Sequence, residues 1–189
     1  FAVGAKFVET APFYIMSTFI VYYATKELGF SRTQALNAVT VATVVPTLLI
    51  PLMGALSDRI GRKTVYIAGV LMMMAYAFPY FWLLQTRSFS MLILATVIGL
   101  GVIWAPTTAV LGTMFSEIFK SNVRYTGITL GYQIGAALAG GTAPLVATFL
   151  LAKFDHSYVP IALYIIFTGL VSLVAIAAVS ERSGRQLDE

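Results

Sequence analysis

Residues 54–63 read G-A-L-S-D-R-I-G-R-K and lie between two long apolar runs. Thr40 to Leu56 carries no charge, Thr64 to Leu84 carries none, and between them Asp58, Arg59, Arg62 and Lys63 crowd together. A knot of charge between uncharged stretches long enough to span hydrocarbon marks a loop at a membrane surface. Asp58 is placed to sit near the positive N-terminus of the helix that follows. Gly61 permits a turn with positive φ, and the basic residues hold the loop among the headgroups.

Working outward, the composition agrees. Hydrophobic residues make up 59% of the 189 and charged residues 11%, and the mean hydropathy is +0.86. Soluble domains run about 25% charged, so the chain reads as a polytopic membrane protein. Six runs reach the roughly 20 apolar residues a spanning helix needs: about 3–25, 35–57, 64–84, 89–115, 126–152 and 159–180. Six spans put both ends on one side. That side collects Arg59, Arg62, Lys63, Lys120, Arg124, Arg182 and Arg185, against Lys26, Arg32, Arg87 and Lys153 on the other. The bias makes the loops at 58–63 and 117–125, with the tail, cytoplasmic. The net charge of +4 belongs to these loops and gives no nucleic-acid patch, and the absence of cysteine excludes disulfides and thiolate metal sites. The chain opens on Phe1 rather than Met, and the expectation is a portion of a longer protein without a signal peptide.

All seven prolines, Pro12, Pro46, Pro51, Pro79, Pro106, Pro144 and Pro160, fall in or at the edge of a span. Bent helices are therefore expected, tolerated where neighbours satisfy the freed carbonyls. The fifth run repeats small residues at Gly127, Gly131, Gly135 and Ala139, a stripe for close helix approach. The second places Asn37, Thr40, Thr43 and Thr47 on one face, either lining an aqueous path or bonding to their own backbone.

As a whole, residues 54–63 resemble the loop signature of the major facilitator superfamily, G-x-x-x-D-R-x-G-R-[KR]. Two further stretches support the resemblance. S-E-I-F-K-S-N-V-R-Y-T-G around Glu117 and Arg124 is similar to the acid and arginine pattern joining the superfamily's tenth and eleventh helices. The tail is similar to the P-E-T-K-G-R segment after the twelfth at Glu181, Gly184 and Arg185. The F-V-E-T-A-P-F-Y around Glu9 resembles the start of the seventh helix in the metabolite:proton symporter branch. Tyr132 and Gln133 match that branch's eleventh helix. Sugar porters are distantly similar, but Phe13 stands where they carry a tyrosine. The resemblance implies an all-α fold: residues 1–189 as the C-terminal six-helix bundle of a twelve-helix transporter, a three-plus-three inverted repeat, with the N-terminal half absent.

Its implied function is proton-coupled symport of a small carboxylated or zwitterionic metabolite by alternating access, at the plasma membrane, the bacterial inner membrane being favoured. No cofactor is implied beyond the proton as coupling ion, and the partners are the metabolite, the bilayer and the other half. The chain is not expected to be an enzyme, because it lacks a phosphate-binding glycine loop, a nucleophile elbow and HExxH. Glu9, the acid within an apolar run, is the candidate proton carrier, with an ion pair to Lys6 as the rival role. Phe13, Tyr14, Thr40, Thr43, Trp104 and Gln133 join it as candidates for the substrate and proton path, with Gln133 expected to face the bundle interior. Trp104 also fits a packing role, and His156 reads as a solvated loop histidine. Asp58, Arg59, Arg62, Glu117, Arg124 and Glu181 are expected to form a cytoplasmic gate of ion pairs. Three alternatives stay open: a sugar-porter-like facilitator, a six-span channel, and a membrane scaffold without transport. The channel would need a filter loop or charged ring that no loop here is long or polar enough to supply.

Overall fold

The computed structural model describes residues 2–118 and 124–178, without the side chains of 117, 118 and 124–128. These residues are helical in six stretches. Helix α1 covers 2–26, α2 is Arg32–Ile60, α3 is Arg62–Gln85, α4 covers 89–118, α5 covers 124–153 and α6 is Val159–Ala177. Five of them are long and apolar enough to cross a membrane. The remaining one, α1, is long enough, but Lys6, Glu9 and its hydroxyl residues dilute its apolar character. The chain is thus a multi-pass, all-helical membrane protein.

The stretch at 54–63 corrects one expectation. It is not a loop: α2 continues through Asp58 and Arg59 to Ile60, Gly61 alone joins it to α3, and Arg62 opens the next helix. Gly61 makes the reversal at φ 93° and ψ 135°, a conformation that a Cβ resists. Asp58 therefore sits in the last turn of α2, where its charge opposes that helix's dipole but faces the first turn of α3. Its Oδ1 takes a hydrogen bond from Arg62 Nη2 at 3.2 Å. At the other end of α2, Ser31 and Gln34 form a reciprocal capping box that fixes the helix start after the turn at Gly29, φ 77°.

The prolines act in two ways. Pro46 and Pro51 lie within regular α-helix in α2. Pro106 and Pro144 instead follow widened, π-helical stretches, Val97–Ile103 in α4 and Ala136–Gly141 in α5, and a third, Ile15–Phe19, follows Pro12 in α1. Proline lacks an N–H and its ring crowds the carbonyl one turn back, and a wider turn absorbs the mismatch.

In lipid no hydrophobic force drives helices together, so close packing must hold the bundle. The small-residue stripe of α5 supplies it against α1. A Cβ on Gly131 would lie 2.5 Å from Ala2 Cβ, and one on Gly135 would lie 2.7 Å from Lys6 Cβ. The core between α1, α3, α4 and α6 is filled by Ile15, Met16, Tyr66, Phe81, Leu100 and Ile165, all fully buried. Large apolar side chains are uncovered on the outer faces, among them Val44, Leu48 and Leu52 on α2, Leu138 and Leu145 on α5, Trp82 on α3 and Val174 on α6.

Candidate functional site

The polar centre of the bundle lies where α1, α4 and α5 meet. Lys6 and Glu9 are one helical turn apart on α1, so both side chains emerge on one face. Lys6 Nζ lies 2.5 Å from Glu9 Oε2, and the two residues are only 7% and 8% exposed. Two threonines complete the carboxylate's surroundings. Thr10 Oγ1 donates to Oε2 at 2.7 Å, and Thr108 Oγ1 from α4 donates to Oε1 at 3.4 Å. The ammonium has a different second neighbour, the face of the Tyr132 ring, whose centroid is 4.1 Å away; such contacts stabilise a desolvated cation. Tyr132 is held in turn by an edge contact with Phe115 of α4, at 5.4 Å between centroids.

The backbone of α1 beside this pair is bound by side chains from three other helices. Ser172 of α6 accepts from the Val8 N–H at 3.0 Å and donates to the Gly4 carbonyl at 2.8 Å. Those two backbone groups are the ones an α-helix pairs with each other, so the serine hydroxyl bridges one rung of the ladder while the helix stays regular. Tyr66 of α3 donates to the Ala5 carbonyl, and Trp104 Nε1 of α4 donates to the Glu9 carbonyl at 2.7 Å. Phe13 packs on Trp104 at 4.9 Å and edge-on to Tyr14 at 5.5 Å.

The structure therefore brings Glu9, Phe13, Tyr14 and Trp104 together. Trp104 does more than pack, since its indole N–H donates to the Glu9 carbonyl. Thr40 and Thr43 stand apart on the uncovered face of α2, with Asn37 and Thr47 exposed beside them. Their hydroxyls donate to carbonyls of their own helix, Thr40 to Leu36 at 2.9 Å and Thr43 to Thr40 at 2.8 Å. Gln133 is exposed on a face of α5 that these six helices leave open, and its neighbour Tyr132 turns inward. A helix offers an interior face to only part of each turn, and the stripe at Gly131 and Gly135 claims it here. His156 is exposed at φ 60° in the link before α6, with Nδ1 2.9 Å from Glu27 Oε1. Of the expected gate, Asp58 and Arg62 pair with each other, and Arg59 is exposed near them. The side chains of Glu117 and Arg124, and all of Glu181, lie outside the described residues. Sequence reasoning missed Thr108, Tyr66 and Ser172. The spacing of Thr168 and Ser172, both buried on one face of α6, was the available signal for the last.

A buried ion pair on a membrane helix, hydrogen-bonded on its acid side, has the makings of a charge-handling site. Comparison with known proteins gives the family. Residues 3–186 match the family model described as Major Facilitator Superfamily. The chain belongs to that superfamily. It is 29% identical over 170 residues to the shikimate transporter of Escherichia coli (strain K12), covering 90% of this chain and 39% of that protein. It is 31% identical over 177 residues to the ectoine/proline transporter of Corynebacterium glutamicum, covering 92% and 34%. The citrate-proton symporter of Klebsiella pneumoniae is 26% identical over 174 residues, covering 92% and 39%. The superfamily chain thus spans about two-fifths or less of the length of these relatives. They are transporters, not enzymes, and a superfamily proton symporter needs no cofactor, the proton being its coupling ion. No solved structure matches the chain at a significant level.

Proposed function

We propose that this chain is the C-terminal half of a proton-coupled symporter that carries a small carboxylated or zwitterionic metabolite by alternating access. The observation that carries the reading is the buried carboxylate of Glu9, paired to Lys6 inside a membrane helix. A group that is expensive to keep in hydrocarbon marks a site of use. The named cargoes of the relatives, shikimate, proline, ectoine and citrate, agree with the substrate class. The missing partner is an N-terminal six-helix half, which would cover the apolar faces of α2 and α5. The packing also supports an inverted repeat. Helix α1 packs on α5 and α6, and α4 packs on α2 and α3, so exchanging the first three helices with the last three maps one arrangement onto the other.

On this reading Phe13, Tyr14 and Trp104 border the path, with Thr40, Thr43 and Gln133 on faces turned to the absent half. The end bearing Asp58, Arg59 and Arg62 is cytoplasmic. Those residues form a gate there with Glu117, Arg124 and Glu181, in a bacterial inner membrane. Glu9→Gln keeps the side chain's shape and removes its titration. In full-length protein in proteoliposomes, Glu9→Gln is expected to abolish uphill uptake driven by a proton gradient while leaving exchange of labelled for unlabelled substrate largely intact. Normal accumulation by the variant would place the coupling carboxylate elsewhere.

A further inference from the structure

We propose that Lys6 is the binding group for the substrate's carboxylate, and that this carboxylate and Glu9 take turns on it. The inference rests on the proton-coupled reading above and follows from an asymmetry in the pair. Glu9 has hydrogen-bonding neighbours besides Lys6, Thr10 at 2.7 Å and Thr108 at 3.4 Å. A protonated Glu9 is therefore still satisfied, donating its own proton to a hydroxyl or accepting from one. Lys6 has no such reserve. Among the described residues its ammonium meets Glu9 and the Tyr132 ring, and nothing else that carries negative charge. The titratable groups facing the pair from neighbouring helices are the phenols of Tyr66 on α3 and Tyr132 on α5. Those facing it from α4 and α6, Thr108, Trp104 and Ser172, are uncharged.

Protonating Glu9 thus strands a buried cation, and a buried unpaired charge is among the costliest states in a protein. The stranded ammonium needs another anion, and a carboxylate supplies one with the same geometry that Glu9 offered. The balance is simple. Before exchange the site holds the Lys6 ammonium and the Glu9 carboxylate. Afterwards it holds the ammonium, the substrate carboxylate and a neutral Glu9 that has gained a proton. Net charge is unchanged, so proton and carboxylate enter together. A zwitterionic substrate meets Lys6 through its carboxylate in the same way, but its own cationic group then leaves the loaded site with one net positive charge.

The test uses full-length protein in detergent, with citrate, shikimate, proline and glycine betaine as probes, in weak buffer with a pH-sensitive dye. Wild type is expected to bind at least one probe and to take up a proton as it does so. Lys6→Gln should bind that probe roughly a hundredfold more weakly, the size of effect seen when a buried charge pair loses a partner. Lys6→Arg, which keeps the charge, should recover most of the loss and separates lost binding from lost folding. Glu9→Gln should bind the probe without proton uptake. Failure of wild type to bind any of the four, or unchanged affinity in Lys6→Gln, overturns the exchange. Proton uptake that persists in Glu9→Gln also overturns it. Unchanged affinity in Lys6→Gln together with coupled transport lost in Glu9→Gln would leave the symport reading standing without it, whereas normal uphill uptake by Glu9→Gln would remove both.

Discussion

Two ion pairs in this bundle have nearly the same sequence spacing and opposite circumstances. Lys6 and Glu9 stand three residues apart with side chains 8% and 10% exposed. Asp58 and Arg62 stand four apart across the Gly61 turn with side chains 64% and 26% exposed. Sequence distance alone would rank them alike. Their surroundings separate them, because a charge in water loses little when its partner goes, whereas a charge between packed helices has nowhere else to turn. The inner pair is thus an all-or-none feature of the site, and the outer pair is a trim on a helix reversal.

The comparison is tested hardest by breaking the inner pair. Glu9→Leu should cost about 3–5 kcal/mol of stability, since it leaves Lys6 buried and unpaired. The double variant Lys6→Met with Glu9→Leu should recover most of that loss, read as the thermal midpoint of purified protein. A double variant that is no better than Glu9→Leu alone would show that the two charges do not stabilise each other. The turn between the outer charges comes next. Gly61→Ala should lose about 1–3 kcal/mol because its φ lies where a Cβ is strained, and an unchanged midpoint would mean the reversal relaxes freely. Smallest is the outer pair itself. Asp58→Asn should cost less than about 1 kcal/mol, and the difference should shrink as salt rises from low to molar concentration. A larger, salt-insensitive loss would place Asp58 in a buried network and collapse the contrast.

Much of this was readable before any coordinates. The apolar runs and the charged decapeptide at 54–63 led to a membrane bundle, because hydrocarbon thickness and charge cost act on the sequence directly, and the superfamily came from the resemblance of that decapeptide to a known signature. The pairing of Lys6 with Glu9 was legible from their spacing. Its depth was not, since burial there depends on α4 and α5 closing over α1, and one helix's sequence does not say which of its faces a distant helix will cover. Gln133 shows the same limit. An amide among apolar residues suggests an interior, yet α5 has two faces with a use, and the amide is on the one the six helices leave open. The turn at Gly61 was anticipated as a loop because charge density marks a surface without saying whether the backbone there is coiled or helical.

The serine that bridges one rung of α1 has a mechanical consequence. Ser172 grips Gly4 and Val8, Tyr66 grips Ala5 and Trp104 grips Glu9, each from a different helix. That end of α1 is fastened like a shaft in a three-jaw chuck: it can neither twist about its axis nor slide along it without pulling α3, α4 and α6 with it. The opposite end is held through a side chain instead, Tyr23 accepting from Gln85 of α3 at 2.8 Å, and between the two ends lie Pro12 and the widened turn Ile15–Phe19. A bend at that widened turn falls past the charges, so the backbone that carries Lys6 and Glu9 stays fixed while their side chains remain able to change partners.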